Sequence, residues 1–92
     1  MPKHVFLRVR ESEIKMKVVP DEDHDGTEEA VGVQAVAVLE IPFGRDFIRT
    51  TIKSPGLWGI EGGDDKYYRE IFAEEKATLI EMLDGLTVRV VR

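Results

Sequence analysis

The sequence predicts an α+β domain, with an antiparallel sheet of about five strands and one helix packed on one face. Three observations carry this. Val5 to Val19 and Leu86 to Val91 alternate apolar and polar residues at the period of a strand. Ala30 to Ile41 is apolar on both parities and rich in β-branched residues, as a central strand buried on both sides should be. Tyr68, Ile71, Phe72, Leu79, Met82 and Leu83 recur at helical spacing and form one stripe.

The elements follow in order. Folding the chain at Glu11-Ser12 sets Val9 opposite Ile14, Leu7 opposite Met16 and Val5 opposite Val18, so a first hairpin has one wholly apolar face. Phe6, Arg8, Arg10, Lys15 and Lys17 take its other face. Pro20 to Glu29 is a polar, acidic connector. In the central run, the small Gly32, Ala35 and Ala37 call for close packing on one face. Pro42-Phe43-Gly44-Arg45 turns the chain, and Phe47 to Lys53 pairs back as a second hairpin. A glycine-rich loop, Ser54 to Asp65, carries the only Trp. Asp64 or Asp65 then caps a helix running to about Leu83, which Asp84-Gly85 stops. A closing strand completes the fold.

Residues 1–92 make a single small domain, because two independent cores do not fit in this length. With no cysteine, disulfides, thiolate zinc sites and a Cys nucleophile are excluded. The net charge of −5 argues against nucleic acid as a partner, which calls for clustered Lys and Arg. No run of about 18 apolar residues offers a membrane span, and no leader-like apolar run opens the chain. A cytoplasmic protein without a membrane partner is the expectation.

Four places compete for a role. Asp21, Asp23 and Asp25, followed by Gly26, match the opening of a calcium loop. Gly32 stands where the bidentate Glu belongs, so no metal and no cofactor are expected there; the three Asp are the weak candidates. Glu75 lies near the centre of the apolar helix stripe. There it is a ligand or catalytic acid, or the structural partner of an Arg from the sheet, such as Arg49 or Arg89, or the stripe rotates so that Glu75 reaches the rim. Trp58, between Gly56 and Gly59, is either an interface anchor or a cap on one end of the core, with partial burial favoured. Arg8, Lys15 and Lys17 around Phe6 have the make-up of a minimal single-strand platform, and equally of an ordinary exposed strand face.

The segment Ile52 to Glu61, followed by an acidic helix containing Tyr68-Arg69-Glu70, resembles short uncharacterised proteins of phages and other mobile elements. The resemblance covers about the C-terminal half and implies no activity. It points toward small host-directed binding proteins, including inhibitors that present acidic surfaces to nucleic-acid-binding enzymes.

The expected function is a non-enzymatic module that contacts another protein through the Gly-Trp segment and the helix start. Leu57 and Trp58 are its anchors; Glu61, Asp64 and Asp65 form a polar rim. The alternatives are an acidic inhibitor that imitates nucleic acid and a small enzyme centred on Glu75. An edge strand also offers a route to a homodimer.

Overall fold

The computed structural model describes residues 7–22 and 29–92. It is α+β: a mixed sheet of six strands with one helix packed against it. The strands are β1 (Arg8–Arg10), β2 (Lys15–Pro20), β3 (Ala30–Phe43), β4 (Asp46–Lys53), β5 (Leu57–Glu61) and β6 (Arg89–Val91). The helix, α1 (Asp65–Gly85), lies between β5 and β6 in the chain.

Strand β3 is the spine. Along one edge it pairs with β2 over its first half and with β1 over its second. Along the other edge it pairs with β5 and then β4. The expected first hairpin does not form, because β1 and β2 pair with β3 and not with each other. One 3₁₀ turn, Glu11–Glu13, separates them, closed by the Ile14 amide donating to the Glu11 carbonyl at 3.0 Å. Arg8 faces Glu40 and Lys15 faces Val36, so the outer edge takes seven steps where β3 takes four. Those three extra residues reverse the parity, which puts Val9 and Met16 on the same side of the sheet. A hairpin reversal gives the same facing, so alternation alone cannot separate the two.

The sheet is also not purely antiparallel. Strand β6 returns from the helix to lie parallel to β1, with Val9 beside Val90. The β3–β4 hairpin forms as the sequence predicts, with Gly44 at φ +62° in the first position of a two-residue turn. That is the place where a II′ turn requires glycine.

Odd-numbered residues of β3 face the helix. Ala35 and Ala37 lie beneath Leu79 and Leu83 together with Val9, Ile14 and Val88. Val33, Ile60 and Ile71 form a smaller continuation of the core. The two alanines let the helix approach closely. Gly32, expected to serve the same packing, faces the other way and receives the Trp58 ring.

The helix begins where Asp64 accepts from the Tyr67 amide at 2.9 Å. It runs two residues past the expected end. The Val88 amide donates to the Leu83 carbonyl at 2.8 Å and the Thr87 amide to the Asp84 carbonyl at 3.0 Å. These are the two bonds of a Schellman stop, and Val88 and Leu83 supply its apolar contact inside the core. Its left-handed position is Thr87, at φ +60°, and not Gly85.

Candidate functional site

The sheet face away from the helix carries the even-numbered residues of β3 and their ladder partners. Arg89, Arg8, Glu40 and Arg49 stand in one row across four strands. Lys15, Val36 and Lys53 form another, and Lys17 lies beside Gln34. Arg10 shares this face two residues along β1. Between Gln34 and Pro42, Glu40 is the only acid in these rows among the described residues. The chain as a whole is acidic, and α1, on the other side of the sheet, carries six carboxylates together with Lys66, Arg69 and Lys76.

Glu40 organises the cationic row. It is 3% exposed, with Arg8 Nε and Arg10 Nε each 3.3 Å from Oε1 and Arg49 Nη2 3.5 Å from Oε2. Burial alone raises a carboxyl's pKa; Arg8, Arg10 and Arg49 together outweigh it and hold Glu40 below the usual carboxylate range. Three guanidinium groups on one carboxylate leave an excess of positive charge. The Arg8 guanidinium also lies 4.4 Å from the centre of the Phe47 ring, a cation–π contact.

Sequence reasoning missed this cluster. Its members lie far apart in the chain and meet only through strand register. The available signal was Glu40 itself, a lone acid in an apolar run.

Trp58 closes the opposite end of the same face. Its benzo ring covers Gly32 so closely that a Cβ there would lie 2.3 Å from Cε3. The indole N–H donates to the Pro55 carbonyl at 2.8 Å, and the residue remains 44% exposed. One ring face is seated on the sheet and the other is open. Val19, Pro20, Asp21 and Glu22 border a depression of about 640 Å³ beside it.

The segment expected to be a loop is in part strand β5. It joins β3 with a register shift between Val31 and Val33, and Gly56 and Gly59 take positive φ at the irregularities. Leu57 stands opposite Val33, whose side chain enters the core, whereas Trp58 lies over Gly32 on the other face. The two expected anchors therefore point to opposite sides of the sheet. Glu61 pairs in register with Ala30, Asp64 caps the helix and Asp65 begins it. Asp21 accepts from the Gly59 amide at 2.8 Å and so ties the end of β2 to β5. Asp23 and Asp25, like Phe6, lie outside the described residues, and no group of three metal-ligating side chains converges among those described.

Glu75 does not pair with Arg49 or Arg89. Arg49 belongs to Glu40, and Arg89 lies on the far face of the sheet. Glu75 Oε1 instead accepts from the Ser54 hydroxyl at 2.8 Å and from the Gly56 amide at 2.6 Å. The Ser54 oxygen in turn accepts from the Ala35 amide at 2.9 Å, and Gln34 holds the Ser54 carbonyl at 3.0 Å. The helix thereby latches the break between β4 and β5, which sets where Trp58 begins. Ser54 is buried, donating its proton to Glu75 and accepting from the Ala35 amide, so its oxygen is closed to a substrate in this conformation.

No protein-family model, curated protein or solved structure matches this chain. No helix among the described residues is long and apolar enough to cross a membrane.

Proposed function

We propose that the protein is a non-catalytic binding module whose contact surface is the sheet face away from the helix, and that its partner is anionic. The observation that carries this reading is the grouping of cations: those of β1, β2, β4 and β6 line the face away from α1, where Glu40 is the one acid of the rows among the described residues, while α1 mixes six carboxylates with three cations. A net charge of −5 averages over both faces and hides the difference. Trp58 remains the aromatic anchor, now at one end of the cationic rows and separate from Leu57 and the helix start. The burial of Ser54 and the use of Glu75 to hold Ser54 and the Gly56 amide support a structural role for this pair over an enzyme centred on Glu75. An acidic mimic of nucleic acid would use the helix side instead, and the sheet face has the opposite sign.

The test is retention on a sulfated polysaccharide matrix at low salt. A protein of this net charge should be repelled; retention released by moderate salt is expected if the face acts as a patch. Lys15→Glu with Lys17→Glu and Lys53→Glu should abolish retention. Flow-through of the unmodified protein would remove the proposal.

A further inference from the structure

Resting on that reading, we infer that the anionic partner is single-stranded nucleic acid, with the open face of Trp58 stacking one base and the cationic rows holding phosphates. Charge alone fits an acidic peptide or a duplex equally well. The Trp58 end of the face decides between them.

The indole N–H is already given to Pro55, so the ring offers a contact face and no hydrogen bond. Gly32 fixes one side of the ring and leaves the other open, the arrangement of a platform for a flat group. Stacking on an aromatic ring is the sequence-tolerant contact by which proteins hold single strands. The depression beside the ring is bordered by Val19, Pro20, Asp21 and Glu22. Two acidic residues at that end disfavour a phosphate or an acidic side chain there, whereas a carboxylate oxygen not already bonded can accept from the N–H edge of a base. An acidic peptide crossing the face would bring like charge to that end. A duplex keeps its bases stacked inside and cannot lay one on the indole.

The length also suits a strand. From Gly32 beneath the ring to Glu40 in the arginine row is eight residues of β3, about 27 Å at the rise of an extended strand. Lys17, Lys15 with Lys53, and the arginine row follow one another along that line. A base at Trp58 and phosphates over these rows make a site of roughly four nucleotides, at the small end of known single-strand sites.

The experiment titrates the full chain with an oligodeoxythymidylate of about eight nucleotides, reading both the emission of Trp58 and the anisotropy of a labelled strand. Saturable quenching of the tryptophan is expected. With about four phosphates neutralised, affinity should fall about 50-fold between roughly 50 and 200 mM salt. Trp58→Leu should weaken binding by about fivefold to 150-fold. Gly32→Ala, which lifts the ring and keeps every cation, should weaken it in the same direction and provides the test if Trp58→Leu fails to fold.

Polyglutamate and a duplex of the same length serve as competitors. If polyglutamate binds as tightly and leaves the indole emission unchanged, the inference fails and the anionic-partner reading survives. A duplex bound equally well, with no effect of either variant, also overturns the inference. If none of the polyanions binds, both proposals fall together.

Discussion

Glu75 offers a sharp test of the latch that positions Trp58, because both of its donors converge on one oxygen. The Ser54 hydroxyl and the Gly56 amide meet Oε1 at 2.8 and 2.6 Å. A glutamine places a carbonyl oxygen with two lone pairs at that point, so Glu75→Gln retains both bonds and loses only the assistance of charge. The expected cost is about 1 kcal/mol. Glu75→Ala removes the acceptor and leaves the buried Ser54 hydroxyl without its partner, while water reaches the half-buried Gly56 amide. One bond to a charged group lost, plus part of a second, gives about 3 kcal/mol. Urea unfolding should therefore separate the variants by about 2 kcal/mol, and their melting temperatures by about 8–16 °C for a domain of this size. Glutamine proving as costly as alanine would mean that the charge itself is needed, and the one-oxygen reasoning would be wrong. Both variants within about 0.5 kcal/mol of the parent would show that the latch does not hold the strand break.

Further perturbations follow from the packing and the charges. Thr87→Gly should stabilise the domain by about 0.5–1 kcal/mol, since a left-handed L-residue costs about 1–2 kcal/mol and glycine's extra freedom offsets part of the gain; a loss in urea unfolding would contradict the strain at that stop. Leu79→Ala, at a fully buried position between helix and sheet, should cost about 3 kcal/mol. Glu40 has a depressed carboxyl, so its stabilising contribution is complete above the ordinary carboxylate pKa and is lost as pH falls through its lower folded value. Glu40→Gln should accordingly flatten the acid limb of the stability profile, and an unchanged limb would place the acid sensitivity elsewhere.

Much of the fold can be read from residue type, because the relevant signals are local. Gly44 marks the β3–β4 turn, Asp64 the helix start, and the alternation of Val9, Met16 and Val18 the side that meets the core. Pairing is a different matter. A three-residue 3₁₀ insertion and a chain reversal leave the same side chains on the same face, so alternation around Glu11–Glu13 cannot choose between them. Strand β5 is hidden for another reason: Gly56, Gly59 and the paired Gly62-Gly63 have the composition of a loop, and the Trp58 ring over Gly32 reveals the strand only in three dimensions.

The site was legible in part. Glu75 stands out as a carboxylate on an apolar stripe, but its partners are a serine and a backbone amide, which no charge pattern announces. The arginine row around Glu40 needs the register of β1 and β4 against β3, and whole-chain acidity points away from it. A net charge describes a molecule and not a face. Much of the acidity that argues against a polyanion comes from the connector between Pro20 and Glu29, which holds six carboxylates, and a smaller share from α1, where six carboxylates face three cations.

The most direct test of the basic face is a map of amide chemical shifts during titration with a polyanion such as oligodeoxythymidylate. Perturbations should concentrate on β1, β2, β4 and Trp58, and the exposed side of α1 around Glu70 and Glu74 should stay silent. Shifts gathered at the helix start near Asp64 and Tyr67, or scattered evenly over both sides, would contradict the account.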